Sequence, residues 1–285
     1  MRASRGFARL LATPAVAFLA AVGAGPLLFP LWTACREDAG FVGLANLTDL
    51  LRDKRFGKSI FTTGLIMAAA VVLELGLGFA LALALHRLKR RGPVLTLLLI
   101  PSALAPLVVG VVWWMLFNTN YGAVNALFGA SIEWTRSMPW ALIAIIVAVV
   151  WQGTPLVAVI LLGGLTTVPA SLLEAARLDG AGRWAVLRHV VLPHLRPFFL
   201  VAGLLVLLEV ARLYEIPFYI TEGGPGDATS LAGLYLFKLA FSYGNLGGAS
   251  MMALLFVAAL SVVAVRDSPV ETFCTVTVAP GSTAC

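Results

Sequence analysis

Charged residues are scarce in this chain of 285 residues, and their scarcity excludes a water-soluble globule. Asp, Glu, Lys and Arg together make up 12% of the sequence, against roughly 25% in an average soluble domain. Hydrophobic residues make up 60%, and a mean hydropathy of +0.95 excludes a disordered chain as well. The composition therefore indicates a protein whose surface meets lipid.

Cysteine and histidine are also rare, and those present form no chemical motif. The three cysteines are too few and too scattered for a disulfide framework, a CxxC redox pair or a zinc site. The three histidines share no metal-ligand spacing with acidic or cysteine neighbours. No Ser-His-Asp or paired-carboxylate arrangement stands out, and the GxxxxGKS/T sequence of a phosphate-binding loop is absent. We therefore expect a chain that is not an enzyme and holds neither a metal nor a cofactor of its own.

Six long apolar runs are the main positive feature of the sequence. Each approaches the roughly 20 residues that a helix needs to cross a bilayer. Because a lipid-embedded backbone must satisfy its hydrogen bonds internally, each run predicts a transmembrane helix. The predicted fold is all-α, a polytopic membrane protein with six transmembrane helices over residues 10–265. The six runs cover about residues 10–32, 59–85, 93–117, 139–162, 198–220 and 247–265.

The first run follows three arginines, so a cleaved signal peptide is its alternative interpretation. We favour an uncleaved helix because the run exceeds the usual apolar length of such a signal. We assign no role to residues 266–285, which follow the last run.

Lys and Arg in the short connections indicate the orientation of the spans. Residues 1–9 carry three, residues 86–92 carry four and residues 163–197 carry four. Residues 118–138 and 221–246 carry one each, although residues 33–58 depart from the pattern with five. The net charge of +6 therefore marks loops retained in the cytoplasm rather than a nucleic-acid surface. Both termini are predicted to be cytoplasmic.

The connection over residues 163–197 predicts two short helices joined at a glycine. Pro169 suits the first position of a helix and Gly180 suits its end. A second apolar stripe follows from Trp184 and ends before Pro193. Small residues leave the corner between the helices nearly bare. Such a corner fits a groove on another protein, and a hairpin resting on lipid headgroups is the alternative that the residues leave open.

The same connection resembles a known motif. Residues 174–181, EAARLDGA, followed by LPHLRP at residues 192–197, resemble the EAA loop of permease subunits in binding-protein-dependent ABC importers. FVGLAN at residues 41–46 and TEGGPGDAT at residues 221–229 are similar to the carbohydrate branch of that family. The resemblance implies type I ABC importer architecture and a coupling helix that docks in a cleft of a cytoplasmic ATPase. The coupling residues implied are Glu174, Ala175, Ala176, Asp179, Gly180, Ala181 and Gly182.

The resemblance further implies a permease in the bacterial inner membrane that forms half of the pathway for a sugar or related polyol. Its implied partners are a second related permease, two ATPase subunits that bind ATP and Mg, an extracytoplasmic solute-binding protein and membrane lipid. A permease for another solute, such as a glycerol phosphate, is one alternative. An ion-gradient-driven secondary transporter is the other.

Four ionisable residues lie inside the apolar runs, where a charge must avoid lipid. Glu74 lies in the second run, and Glu209, Arg212 and Glu215 lie along the fifth. In a continuous helix the last three share about a third of the circumference. We interpret Glu209 and Arg212 as an i,i+3 pair and Glu215 as an acceptor for sugar hydroxyls. A purely structural polar seam against the partner permease is the alternative.

Three aromatic residues are further candidates for the substrate pathway. The rings of Trp113, Trp114 and Tyr219 can stack on sugar rings. Aromatic residues near the ends of spans also act as interfacial anchors, which is the alternative for all three.

Overall fold

The computed structural model describes residues 28–37, 40–88 and 91–266, together with the isolated positions 13, 14, 18, 23 and 25. The predicted cytoplasmic residues 1–9, most of the first predicted span and nearly all of residues 266–285 therefore lie outside the described residues. The chain divides into two compact units, Met1–Phe56 with Leu236–Val262, and Gly57–Tyr235 with Val263–Cys285.

The first unit is organised around one buried asparagine. Helical residues 28–34 lead into strand β1 (Arg36–Glu37), which pairs antiparallel with β2 (Gly40–Phe41), and helix α1 (Ala45–Arg52) follows. Asn46, from the FVGLAN segment, donates its side-chain amide to Ala34 O at 2.8 Å and to Arg36 O at 3.1 Å. A Cβ on Gly247 would lie 2.6 Å from that amide nitrogen, so only glycine lets the last helix approach so closely.

The remaining elements are helical. Two π-turns interrupt the α-helices, at Leu187–Val191 and at Lys238–Ser242. The helices are α2 (Lys54–His86), α3 (Gly92–Ala103), α4 (Pro106–Leu116), α5 (Ala123–Phe128), α6 (Trp140–Thr166), α7 (Ala170–Leu178), α8 (Arg183–Val186), α9 (Leu192–Ala211), α10 (Glu215–Thr221), α11 (Ala232–Phe237) and α12 (Leu246–Arg266).

Helix α6 forms the centre of the second unit and packs against α3, α4, α9 and α10. Its contact face carries small side chains, among them the fully buried Ala144 and Ala148. Small residues let neighbouring backbones approach closely, which is the main way that helices gain packing energy in a membrane.

Three helices of the described residues are long and apolar enough to cross a membrane: Lys54–His86, Trp140–Thr166 and Arg183–Ala211. Helices α3 and α4 make a fourth span if the bent pair counts as one, and the shorter apolar stretch Leu246–Ala259 lies in α12. The fold is therefore all-helical and membrane-spanning, apart from the two-residue strands. The six predicted spans exceed the three or four that the described part of the chain shows.

The third predicted span is not one continuous helix. Helices α3 and α4 meet at an angle of 90°. Ala105 has an extended backbone, with φ −62° and ψ 139°, as expected for a residue that precedes a proline, here Pro106. The apolar run over residues 93–117 thus predicted the composition of this region and missed its bend.

The second short helix of the connection 163–197 was predicted to end before Pro193. In the structure it continues past that residue. It runs from α8 through the first π-turn directly into α9, so that Arg183–Ala211 is continuously helical. A proline in a regular α-helix clashes with the carbonyl four residues earlier. The wider π-turn immediately before α9 accommodates Pro193 there.

Candidate functional site

The corner of the connection 163–197, called here the elbow and comprising residues 174–182, has the geometry of a glycine-terminated helix. Asp179 caps α7, and Gly180 adopts a φ of +75°. Gly180 N donates to Arg177 O at 3.0 Å, and Ala181 N donates to Ala176 O at 2.9 Å. These two bonds form a Schellman motif, which requires a left-handed residue at the position of Gly180. The predicted helix, stop and turn are all present, although Pro169 precedes the first helical residue instead of occupying it.

Large apolar side chains stand exposed on and beside the elbow. Leu178 is 88% exposed and Trp184 is 71% exposed. The candidate coupling residues are exposed or half-buried along the whole elbow. An exposed apolar patch with a bare, small-residue corner is typical of a surface that another molecule covers.

A cavity of about 410 Å³, with charged and polar side chains set in a largely apolar wall, lies within the second unit. Helices α2, α3, α4, α6, α9 and α10 all contribute to its lining. The four ionisable residues predicted from the sequence all line it, and so do three further polar residues. The polar side chains in its lining are Glu74, Ser102, Gln152, Glu209, Arg212, Tyr214 and Glu215. This cavity is called the membrane cavity below.

The membrane cavity forms where the fifth predicted span breaks. Helix α9 ends at Ala211, and α10 begins at Glu215. The predicted continuous helix, with three ionisable residues on one face, is therefore wrong. The residues converge because the non-helical segment 212–214 bends around the cavity. Irregular backbone at membrane depth is tolerated where it lines a cavity, since water or ligand can satisfy its polar groups.

The predicted ion pair between Glu209 and Arg212 forms at its distance limit. Arg212 Nη2 lies 4.0 Å from Glu209 Oε1, and the two side chains are 77% and 52% exposed. An exposed pair of this length contributes little stability. Glu215 lies beside the break, where its Oε2 accepts a long hydrogen bond of 3.4 Å from Tyr214 N.

Glu74 is the most deeply buried charged residue of the cavity lining. It is 2% exposed, and its Oε2 atom has no hydrogen-bond partner among the described residues. Gly153 of α6 lies directly opposite, and a Cβ at that position would overlap the carboxylate. Gly153 therefore provides the space that Glu74 occupies. A buried acceptor without a partner is costly unless a ligand or water supplies the donor.

Ser102 and Gln152 are cavity residues that the sequence analysis did not single out. Ser102 Oγ donates to Gln152 O at 2.8 Å, and Gln152 Nε2 donates to Leu104 O at 2.9 Å. These bonds satisfy carbonyls near the bend between α3 and α4. The second bond uses the amide nitrogen of Gln152 as a donor. The amide oxygen of Gln152 can still accept a hydrogen bond. The sequence did offer one signal for this part of the cavity, because Gln152 is the only amide side chain in the apolar run 139–162.

The three aromatic candidates lie in two different places, and neither place is the membrane cavity. Trp113 lies in an aromatic cluster, with ring centroids 5.1 Å from Phe117 and 5.8 Å from Trp151, and is not among the lining residues of the membrane cavity. Trp114 and Tyr219 line a different cleft of about 400 Å³ at the far ends of α4 and α10. The structure thus brings none of the three rings into the membrane cavity.

The TEGGPGDAT segment bounds this second cleft as a compact loop. Thr221 Oγ1 lies 2.7 Å from Thr229 Oγ1, which also donates to Gly224 O at 2.6 Å. Lys58 Nζ donates to Gly226 O at 2.6 Å and ties the loop to the beginning of α2. The glycines of the segment thus form turns, as their composition indicates.

Comparison with known proteins gives one family and several relatives. The family model described as "Binding-protein-dependent transport system inner membrane component" matches residues 74–266. The trehalose/maltose transport system permease protein MalF of Thermococcus litoralis is 35% identical over 251 residues, which cover 83% of this chain and 84% of the relative. The trehalose transport system permease protein SugA of Mycobacterium tuberculosis is 33% identical over 271 residues, which cover 92% and 87%.

A solved structure shares the fold. It is a bacterial ABC transporter involved in the import of the acidic polysaccharide alginate, with a TM-score of 0.77 and 16% sequence identity. The alignment covers 93% of this chain and 94% of that chain.

Proposed function

Because the chain belongs to the family of binding-protein-dependent transport system inner membrane components, we propose that it forms one half of the translocation pathway of an ATP-driven importer for sugars. The chain is a non-catalytic permease, and its family implies a solute-binding protein and an ATPase as partners. Relatives named for trehalose and maltose transport support a sugar as the cargo. The family match leaves an ion-gradient-driven mechanism without support.

The observation that carries this proposal is the polar membrane cavity at mid-span. Glu74 lies about 22 Å along the axis of α2 from Ser59 and about 17 Å from Leu85, at roughly 1.5 Å per residue. Carboxylate and amide oxygens at this depth accept hydrogen bonds from hydroxyl groups. A neutral, hydroxyl-rich molecule matches such a lining, and the carboxylates of Glu209 and Glu215 are its accessible acceptors.

The charge balance of the membrane cavity favours a neutral polyol over an anion. The lining contains Glu209 and Glu215 beside the guanidinium of Arg212, and Glu74 is buried. Two exposed or half-buried carboxylates repel a phosphate more strongly than one cation attracts it at similar distances. A glycerol phosphate is therefore the weaker candidate.

We infer that the elbow is the docking site for the cytoplasmic ATPase. The exposure of Leu178 and Trp184, together with the small residues beside them, supports a surface that a protein covers. The two ATPase subunits would bind ATP and Mg and push the elbow when they close. A bistable arrangement of the helices would then expose the membrane cavity to opposite sides in turn.

The finer architecture completes the proposal. We propose six spans, with the first over residues 10–32, the sixth in α12, and both termini in the cytoplasm. The connection 163–197 then lies on the cytoplasmic side, and the connection over residues 221–246 faces the solute-binding protein. A second, related permease would supply the other half of the pathway.

Glu215→Gln and Glu74→Gln test the sugar site in the assembled importer reconstituted in liposomes. We expect Glu215→Gln to raise the apparent KM for uptake of trehalose or maltose by about fivefold, because glutamine keeps an acceptor and loses only the extra strength of a charged one, about 1 kcal/mol. Glu74→Gln should raise it less, since that side chain is buried. Asp49→Asn, on the exposed surface of α1, is the matched control and should leave KM unchanged. Unaltered uptake kinetics in both cavity variants would remove the membrane cavity from the pathway.

A further inference from the structure

The cleft that contains Trp114 and Tyr219 is built at the opposite end of the helix pair that lines the membrane cavity. Helices α4 and α10 pack together because Gly110 lacks a side chain. A Cβ there would lie 3.1 Å from Tyr219 Cβ and 3.3 Å from Ile216 Cα. Pro106 of α4 lines the membrane cavity, and Trp114 of the same helix lines the cleft, about 12 Å further along at roughly 1.5 Å per residue. This second cleft is called the outer cleft below.

The lining of the outer cleft is polar throughout, apart from its aromatic faces and one isoleucine. The end of α4, two loops and the end of α10 supply it. The lining residues are Trp114, Asn118, Thr119, Asn120, Glu133, Thr135, Arg136, Tyr219, Ile220, Thr221 and Glu222.

Internal hydrogen bonds hold the walls of the outer cleft in place. Asn118 Oδ1 accepts bonds from Asn120 N at 3.0 Å and from Tyr121 N at 3.4 Å. The opposite loop is anchored by Trp134 Nε1, which donates to Asn125 Oδ1 at 2.8 Å, and by Asn125 Nδ2, which donates to Ile132 O at 2.9 Å. The cleft is therefore preformed, which reduces the entropy cost of binding a ligand there.

Several polar groups of the lining remain available to a ligand. Within the described residues, no hydrogen bond engages the side chains of Thr119, Asn120 and Thr135. The indole of Trp114, 41% exposed, adds a flat apolar face. Hydroxyl, amide and aromatic groups together match the alternating polar edge and apolar face of a pyranose ring.

We propose that the outer cleft is a second saccharide subsite, which receives a hexose unit of the cargo before it enters the membrane cavity. This inference rests on the proposed function and on its orientation of the spans. Glu133 and Glu222 stand against Arg136 in the lining, and this excess of acidic charge disfavours an anion and leaves a neutral sugar as the ligand. A sugar held at this point is kept from returning to the outside while the membrane cavity opens.

Trp114→Ala and Asn120→Ala test the subsite in the reconstituted importer, with trehalose and maltose as probes. The readouts are sugar uptake and ATP hydrolysis stimulated by the loaded binding protein. We expect uptake per ATP hydrolysed to fall by about fivefold in Trp114→Ala, because one aromatic stacking contact contributes about 1 kcal/mol. Asn120→Ala removes a side chain that makes no hydrogen bond among the described residues, so it should lower the same ratio without affecting folding.

Tyr121→Ala is the matched control, since Tyr121 is 64% exposed, adjoins the cleft and does not line it. It should leave uptake per ATP unchanged. A parallel loss of uptake and of stimulated ATP hydrolysis in both cleft variants would overturn the proposal and make the cleft a docking surface for the binding protein. Unchanged uptake in both would also overturn it.

The proposals for the two sites can be rejected independently. Normal kinetics in Glu215→Gln and Glu74→Gln, with a reduced ratio in Trp114→Ala, would reject the membrane cavity and keep the outer cleft. The reverse result would reject the outer cleft alone.

Discussion

At the scale of single residues, the sequence reveals the charges of the membrane cavity but not the glycine that makes room for them. Glu74 is conspicuous because a carboxylate in an apolar run is costly. The sequence does not distinguish Gly153 in this way, since glycine is common in this chain and nothing in the neighbouring residues marks this one. Only the packing of α6 against α2 shows that its missing side chain accommodates the carboxylate.

Gly153→Ala should destabilise the permease because the added Cβ would overlap the Glu74 carboxylate. Overpacking of this kind costs about 1 to 3 kcal/mol. The measurement is the midpoint of thermal unfolding of the detergent-solubilised importer, which we expect to fall. Adding Glu74→Ala to the variant should restore part of the loss, because the carboxylate is then absent.

Gly163→Ala is the control in the same helix, where a Cβ would meet nothing within 4 Å. It should leave the midpoint unchanged or slightly raise it, since alanine favours the helix. Equal midpoints for Gly153→Ala and the unmodified importer would show that the contact with Glu74 is not tight.

At the scale of elements, composition predicts the helices, and two of their breaks lie at prolines, although other prolines, such as Pro155, lie inside unbroken helices. The bend before Pro106 was readable from the residue preceding a proline. The end of α9 has a similar cause, because Pro217 cannot donate a backbone hydrogen bond to residue 213 and its ring would clash with that carbonyl in a continuous helix. Hydrophobicity alone cannot show this, since the apolar run continues across the break.

The elbow is the element that the sequence predicts best. Its helix, its glycine stop and its small residues all follow local rules that do not depend on the rest of the fold. The join between α8 and α9 was missed because a π-turn has no comparable sequence signature.

Gly180→Val should uncouple ATP hydrolysis from the binding protein. A non-glycine residue at a φ of +75° costs about 1 to 2 kcal/mol, and a β-branched side chain also widens the corner. We expect ATP hydrolysis stimulated by loaded binding protein to fall by roughly tenfold, because the displaced corner no longer fits the ATPase; a tenfold loss of rate corresponds to about 1.4 kcal/mol.

Gly129→Val provides a control with the same backbone strain, at a φ of +57° after α5 and away from the elbow. Stimulated hydrolysis should be retained in this variant. An equal loss in both variants would mean that general strain, and not the elbow, causes the effect.

At the scale of the whole molecule, the exposed surface indicates which faces need a partner. Val72 and Leu97, each 70% exposed, fit contact with lipid. Arg212 and Glu209 are 77% and 52% exposed beside the break in the fifth span, and charges at that depth avoid lipid. The proposed second permease, together with the water-filled pathway, would cover them.

The outer cleft can be recognised only in the folded molecule. Its residues come from two loops and two helix ends that span about a hundred positions of the chain, and no local pattern links them. The sequence supplied Trp114 and Tyr219 as separate candidates. Their common position depends on the contact between α4 and α10, which follows from the break that hydrophobicity did not reveal.

Disulfide crosslinking at the elbow tests most directly whether this permease receives force from an ATPase. Ala175→Cys would be placed in a chain whose three native cysteines are replaced by serine and paired with a cysteine in the cleft of the ATPase subunit. Leu127→Cys, 81% exposed in the connection predicted to lie outside, is the control. The account predicts a crosslink from Ala175→Cys that changes with ATP, and none from Leu127→Cys. Labelling of Ala175→Cys by a membrane-impermeant reagent from outside, without any crosslink to the ATPase, would contradict it.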